Sequence, residues 1–427
     1  MVGAYVGSQF IDANVGMAGD FVLSVQKLVA LFAIPLGALL LRRFRWSMRI
    51  MLFALSLVIA FSAAPLLTAA PAASLGSDVL AVLMNALAAL ILSAALLDVA
   101  SPVRTFGYIW LVGAVCTAVV ALLQSIGWIP LVNVPDEMLS RRYTDFGMVR
   151  ATGLKADPNF AAMMMVGGLA FTGLVANAKM RRLLAVLIVA GVAVTLSRMG
   201  IVVAAVVLIG SLAAEPAALA RSARRTMAIV AGLGIASFTI YALLPNSMQS
   251  YIGERFGDLQ SAVIQLVTGS SVADGNGSGA ERADLVLATL RVIADHPLSG
   301  VGPGNLEGML YESIGVGKAA HNTYLELLAI GGLFAAVSLT LYFGYVISGL
   351  GRASELLQED RNALASARMF VISVALMAGV LTIVYNSLLW LPLALVCAMA
   401  RSRAVPDLPA GSAADSRSRS ATKSGAR

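Results

Sequence analysis

Charge is scarce in this sequence: only 12% of the 427 residues are Asp, Glu, Lys or Arg, about half the share usual for a soluble domain. Water cannot be its only solvent. Cysteine is nearly absent, and both copies, Cys116 and Cys397, lie inside apolar runs. They read as small buried side chains, which leaves neither a disulfide framework nor a cysteine metal centre to expect. No repeat of fixed period is present. Residues 1–20 carry Asp12 and Asp20 but no Lys or Arg, and no small-residue cleavage site behind an apolar core. A signal peptide is therefore not expected, and the first spanning helices would direct insertion themselves.

What the chain has in abundance is apolar length. Hydrophobic residues make up 59% of it, in runs of the ~20 residues that a helix needs to cross a ~30 Å hydrocarbon layer. Such runs fall near 21–41, 50–70, 79–98, 106–124, 159–178, 183–197, 199–215, 227–245, 324–349, 369–386 and 388–400. The expected fold is an all-α polytopic membrane protein with about 11 (10–12) transmembrane helices. The last run is shorter than a full span and holds Pro392, so it reads as a re-entrant, broken or kinked helix.

Basic residues set the orientation, because Lys and Arg beside short loops stay on the cytoplasmic side. One set of loops holds Arg42, Arg43, Arg45 and Arg49, then Arg104, then Lys179, Arg181 and Arg182, then Arg221, Arg224 and Arg225, then Arg352, Arg361 and Arg368. With the tail these are 20 of the 30 basic residues, against nine spread over longer loops on the other face. The expected layout is an external N-terminal segment at 1–20, helices one to eight over 21–245 with an external loop at 125–158, a large external loop at 246–323, helices nine to eleven over 324–400, and a basic, disordered cytoplasmic tail at 401–427. Such a tail suits the anionic inner leaflet. Within the large loop, 269–281 reads as flexible linker and 282–296 (RADLVLATLRVIADH) as an amphipathic helix on the membrane surface. Both long segments are external, so chemistry is expected there.

Segment 296–326 reads HPLSGVGPGNLEGMLYESIGVGKAAHNTYLE and enters the ninth span directly. Gly300, Gly302 and Gly304 around Pro303 demand an open, tight turn whose N–H groups either face an anion or simply make the turn. A nucleotide-binding fingerprint is excluded, since no strand–helix–strand unit surrounds it. His321 lies where the loop meets a helix N-terminus, whose dipole favours a neutral, proton-accepting imidazole. The alternative is that it only belongs to the cap, with Asn322 or Thr323 capping and Thr323 and Glu326 at capping-box spacing. Three arginines stand on the external face: Arg150, Arg198 and Arg282. Arg198 interrupts an almost continuous apolar stretch from 183 to 212, and a charge at that depth needs a partner or a water-filled cavity. Converging guanidinium groups would suit a diphosphate; solvated loop charges, and an ion pair for Arg198, are the structural alternatives.

Segment 150–159 (RATGLKADPN), Ser197-Arg198-Met199-Gly200 between two spans, and GVGPGN followed by AHNTYLE resemble, in that order, motifs of the O-antigen ligase and O-antigen polymerase family. The resemblance covers roughly 145–345, and the order is far more specific than any one piece. It departs at the amino end, where the family has about twelve spans and residues 1–20 here are too polar to span. The resemblance implies transfer of a glycan from an undecaprenyl-diphosphate carrier to an acceptor hydroxyl at the outer face of the bacterial inner membrane, without cofactor or metal and with inversion at the anomeric carbon. It implies His321 as the base or acceptor positioner, and Arg198 with Arg150 or Arg282 as the diphosphate holders. Asn159, Gly302, Gly304, Asn305 and Asn322 are the further substrate-binding candidates. The implied partners are the lipid-linked glycan, an acceptor glycan or lipid A core, and the bilayer, with no nucleic acid.

Two rivals come from other classes. A transporter or flippase of lipid-linked sugars would move its substrate without chemistry, but ion-coupled transporters carry ionisable groups within their spans, and Lys27 is the one clear example here. A scaffold in a glycan-export complex would assemble without catalysing anything.

Overall fold

The computed structural model describes residues 2–11, 14–18, 21–24, 29, 47–68, 74–131, 144–145, 148–213, 278–356 and 360–400. The expected spans at 227–245 and, but for its first residues, 21–41, together with the tail at 401–427, lie outside them. In chain order the elements are α1 (Val2–Ser8), a hairpin of β1 (Asn14–Ala18) and β2 (Phe21–Ser24), α2 (Met48–Thr68), α3 (Leu75–Leu97), α4 (Pro102–Ser125), a two-residue ribbon of β3 (Thr144–Asp145) and β4 (Met148–Val149), α5 (Pro158–Phe171), α6 (Ala178–Val194), α7 (Arg198–Ala213), α8 (Ser278–Asp295), α9 (Leu306–Ile314), α10 (Thr323–Leu356), α11 (Arg361–Ala378) and α12 (Leu391–Met399).

Among the described residues, five helices are long and apolar enough to cross a membrane: Met48–Thr68, Leu75–Leu97, Pro102–Ser125, Thr323–Ala353 and Arg361–Ala378. Their outer faces carry large apolar side chains such as Leu55, Leu83, Val112, Val337 and Ile347, each at least half exposed or close to it. Water-soluble proteins rarely expose so many large apolar side chains; with five membrane-length apolar helices, this is a membrane protein. The runs at 159–178, 183–197, 199–215 and 388–400 also form helices, but each has fewer residues than a full span. About eleven full spans is thus more than the described helices supply.

Three differences from expectation have physical causes. The run at 369–386 begins as a helix eight residues earlier and stops at Ala378, because Asp360 caps α11 by accepting from Ala363 N at 3.1 Å, and residues 379–386 are unwound. Residues 21–24 form a strand and not the start of a span, paired antiparallel with 14–18. Residues 2–10, expected as part of a polar external segment, are packed into the bundle: Tyr5, Val6, Gln9 and Phe10 are buried. Phe10 meets the Trp110 ring edge-on at 5.0 Å, and Gln9 accepts a hydrogen bond from the Ser387 hydroxyl.

The core is built on small residues that let helices approach closely, the usual device where lipid removes any hydrophobic drive between spans. Gly168 on α5 lies against Ala114 on α4, Gly191 on α6 against Ala118, and Gly200 on α7 against Ala162 on α5. At the centre Phe106, Trp110, Phe171 and Phe370 form a ring cluster, and Trp110 Nε1 donates to Met164 O at 3.0 Å.

The helices alternate in direction, and this gathers the basic residues at one end. There Arg49 donates to Tyr345 O at 3.3 Å, Ser47 meets Cys397, and Arg104 pairs with Asp360 through Nε–Oδ2 at 2.8 Å and Nη2–Oδ1 at 3.2 Å. The Arg104 hydrogen bond holds the Asp360 carboxyl below its ordinary range against the opposing effect of partial burial. A lowered folded pKa means the contribution is complete above the unfolded value of about 3.9 and fades as pH falls through the folded one. Asp360→Asn keeps a good cap and is therefore expected to lower stability by about 0.5–1 kcal/mol at pH 7, the scale of a partly exposed ion pair. That difference should shrink as pH falls below the usual carboxylate range, when thermal unfolding is followed in detergent.

α10 is broken. Gly332 has φ 52° and ψ −135°, a conformation open only to glycine. The unwound turn is splinted by the 297–302 loop: Val301 N donates to Ala329 O and Gly302 N to Ile330 O, both at 2.9 Å, while Leu333 N donates to Pro297 O at 2.9 Å. Backbone at membrane depth must find such partners. A Cβ on Gly300 would lie 2.3 Å from Ile330 O, in a left-handed residue with φ 64°. Gly300→Ala is expected to lose about 2–5 kcal/mol, from about 1–2 for the left-handed backbone and about 1–3 for overpacking. Gly308→Ala, where a Cβ meets nothing within 4 Å, should be neutral or slightly stabilising in the same unfolding assay.

Candidate functional site

The described sequence motifs lie toward the end of the bundle opposite the basic one, in two clusters. The first cluster joins 150–159 to 194–200. Asp157 caps α5, accepting from Asn159 N at 2.7 Å and Phe160 N at 3.1 Å, with Pro158 in the first turn, the favoured place for proline in a helix. This holds Asn159 so that its Oδ1 accepts from Ser197 Oγ at 3.0 Å. Alongside, Arg150 Nε donates to Thr195 O at 3.3 Å and Ala151 N to Val194 O at 3.1 Å. Arg198 follows Ser197 directly and opens α7, half-buried. Arg150, Asn159 and the Ser197–Arg198 pair are thereby brought together from segments about forty residues apart.

Gln124, at the end of α4, anchors this cluster and was not foreseen. It is 2% exposed; its Oε1 accepts from Thr152 N at 3.0 Å and Gly153 N at 2.7 Å, and its Nε2 donates to Gly153 O at 3.0 Å. A lone glutamine in an apolar run was the available signal. Lys155, 2% exposed in the same turn, also went unnoticed, because spacing alone gives a loop lysine no reason to be buried.

The second cluster surrounds His321. Asn322 is the cap of α10, its Oδ1 accepting from Tyr324 N at 3.0 Å and Leu325 N at 3.1 Å. The expected Thr323–Glu326 capping box does not form. Thr323 instead donates to Leu381 O at 2.5 Å and accepts from Ile383 N at 2.9 Å, while Glu326 Oε2 accepts from Thr382 Oγ1 at 2.5 Å. Both residues were drawn away by the unwound 379–386 segment, a tertiary partner that sequence does not display. Glu326 is 5% exposed, and Asp78, which accepts from Ser74 Oγ at 2.7 Å and from the Tyr385 hydroxyl, lies nearby.

The glycine loop joins this second cluster. A Cβ on Gly304 would meet Ser74 Oγ, and one on Gly302 would meet Ala64 and Pro65 at the end of α2. The Gly302 N–H is engaged by Ile330 O and Asn305 Nδ2 donates to Val301 O at 2.8 Å, and these bonds shape the loop and splint α10. Arg282 lies within α8, and its side chain is outside the described set. α8 begins at Ser278, ahead of the expected 282, and packs onto the bundle through Leu285, Ala288, Thr289 and Val292, the spacing of one helix face.

Backbone strain marks both clusters. Among the described residues two non-glycine residues have positive φ: Leu196 at 53° and His321 at 49°. Each such residue costs roughly 1–3 kcal/mol and persists where the surroundings impose it, commonly at functional sites. One precedes Ser197–Arg198 and the other is the expected base itself. The arrangement sets cations in the first cluster, carboxylates in the second, and an imidazole at the threshold of α10.

Residues 183–340 match the family model described as O-antigen ligase. The matched segment includes Arg198, Arg282, Gly302, Gly304, Asn305, His321 and Asn322 and leaves out Arg150 and Asn159. No curated protein matches the chain.

Proposed function

Because the chain carries an O-antigen ligase segment over residues 183–340, we propose that this membrane protein transfers a glycan from an undecaprenyl-diphosphate carrier to an acceptor hydroxyl at the outer face of the bacterial inner membrane. The family stands for glycan transfer of the ligase and polymerase type in general. The observation that supports it is that the two non-glycine residues with left-handed backbone among those described are Leu196, two residues before Arg198, and His321 itself.

A glycosyl diphosphate is already activated, so the protein has two tasks. Arg198 and Arg150 hold the diphosphate and stabilise charge as the bond from the anomeric carbon to the diphosphate oxygen breaks, its electron pair leaving with that oxygen. His321 takes the proton of the acceptor hydroxyl as that oxygen bonds to the opposite face of the anomeric carbon. The product is inverted at that carbon and the diphosphate stays on the lipid. Neither step calls for a metal.

The test is transfer by the purified full chain in detergent, given an undecaprenyl-diphosphate oligosaccharide with lipid A core or a second lipid-linked repeat as acceptor. Product is expected, and EDTA should leave its rate unchanged; the acceptor consumed separates ligase from polymerase. No product with any acceptor, while reconstituted vesicles translocate the lipid-linked sugar, would replace this reading with the transporter one.

A further inference from the structure

α6 starts at the basic end of the bundle with Lys179, Arg181 and Arg182 in its opening turns and no acidic residue in the first turn. That is a costly arrangement, because the positive end of a helix dipole repels cations and favours anions. No Asp or Glu occurs between Asp157 and Glu215, so the stretch supplies no carboxylate of its own. Two arginines at this end are used within the protein: Arg49 lies over the Tyr345 ring at 5.9 Å and donates to Tyr345 O, and Arg104 pairs with Asp360. Lys179 and Arg182 instead are exposed. They share one helix face with Leu183 and Val186, at spacings of three and four residues, and those two are 59% and 66% exposed. The opposite face, through Ile188, Gly191 and Val192, is the one that is buried. From the helix end inward, the outer face of α6 therefore presents two cations and then a strip of apolar side chains. Asn177 Oδ1 already accepts from Lys179 N at 2.9 Å and Met180 N at 3.2 Å, so an incoming anion meets side chains there before backbone.

We infer that this face of α6 is a docking site for an anionic phospholipid of the leaflet at the basic end, its phosphate against Lys179 and Arg182 and an acyl chain along Leu183 and Val186. The order of groups matches the ligand. A phospholipid carries a negative phosphate at the interface with hydrocarbon beneath it, and α6 sets cations at its end with apolar side chains beneath them. Basic side chains at a membrane-facing helix end draw anionic headgroups, and the negative charge also relieves the opposition between the dipole and the cations of the opening turns. A zwitterionic lipid has the same phosphate but brings its own cation to it, so the anionic lipid is preferred. Free phosphate gains nothing from Leu183 and Val186. The inference is independent of the glycan-transfer chemistry, which is placed at the opposite end of the bundle.

The test uses the full chain in detergent and measures its affinity for phosphatidylglycerol and for phosphatidylcholine with the same acyl chains, with inorganic phosphate as competitor. The wild type is expected to prefer phosphatidylglycerol, and millimolar phosphate should leave that lipid in place. Lys179→Gln and Arg182→Gln should each weaken phosphatidylglycerol binding about fivefold and together about 25-fold, the scale for one and two cations at an anionic surface. Affinity for phosphatidylcholine should change little. Arg352→Gln removes an exposed cation from α10 at the same end and should bind phosphatidylglycerol as the wild type does. Wild-type affinity in the double variant would take α6 out of the site, and an equal loss in Arg352→Gln would make the bulk charge of that end the cause; either overturns the inference. Displacement of the lipid by phosphate, or equal wild-type affinity for the two lipids, overturns it too. Should the double variant fail to fold, unchanged affinity in the two single variants overturns it by itself.

Discussion

His321→Gly is expected to give a protein that reaches normal membrane levels, unfolds no earlier than the wild type and transfers no measurable glycan. The backbone at 321 is left-handed, with φ 49°, a conformation costing a residue with a Cβ about 1–2 kcal/mol and glycine nothing. Removing the side chain therefore relaxes the fold and offsets glycine's own entropic cost. If the imidazole takes the acceptor proton, its loss should lower the rate by about 10²–10⁴-fold. His321→Ala should be equally inactive without the relief, and His321→Asn, which tolerates the left-handed region, should fold normally and stay inactive because an amide takes no proton. Transfer above half the wild-type rate in any of the three would remove His321 from the chemistry. A His321→Gly protein that unfolds well below the wild type would instead make the residue a structural part of the α10 cap.

Much of this arrangement was legible because apolar length and basic punctuation are local properties. Arg49, Arg104, Lys179 and Arg352, assigned to one face from loop charge alone, lie on helix ends that alternate to that same end of the bundle. What failed was wherever a tertiary partner decided the local structure. An apolar run through 369–386 looks continuous, yet Thr323 and Glu326 bind the backbone and hydroxyl of 381–383 and keep that stretch unwound. The apolar run 324–349 gives no warning of the break at Gly332, which exists because Val301, Gly302 and the 297–298 carbonyls replace the missing helical bonds. Residues 2–10 looked too polar to enter the bundle, but Gln9 and Tyr5 find Ser387 there, and a satisfied polar group buries at little cost.

The site was readable as an ordered set of motifs and unreadable as a geometry. The pairing of Asn159 with Ser197 follows from no spacing rule, since the residues are joined through two helices and their turns. Gln124 could not be ranked above any other glutamine until its four-atom amide was seen holding a loop. The glycines of GVGPGN were open to two uses, and the bonds of Val301 and Gly302 assign their N–H groups to the broken helix. That is a physical reason for a glycine motif to precede the His-Asn segment: the loop that delivers the chain to His321 also keeps the turn after it open.

Arg198→Ala should abolish transfer almost as completely as loss of the histidine, with a different kinetic signature. Arg198 opens α7 directly after the strained Leu196 and the Ser197 that binds Asn159, so its backbone is fixed from both sides. In the proposed mechanism a guanidinium positioned in that way would meet the charge that grows on the departing diphosphate, an interaction stronger in the transition state than in the bound donor. Removing one such preorganised donor lowers kcat by about 10²–10³-fold. Arg198→Lys keeps the charge but not the planar fork, and should recover only about a tenth of the lost rate, since the bidentate geometry is what a point charge cannot reproduce. The pair is read by initial rates over a range of donor concentrations, with unfolding temperature recorded for each variant. If Arg198→Lys restores the full rate, the residue acts as a bulk positive charge. If Arg198→Ala raises KM alone, it binds ground state and transition state equally and the leaving group is stabilised elsewhere, which would direct attention to Arg150 and Arg282.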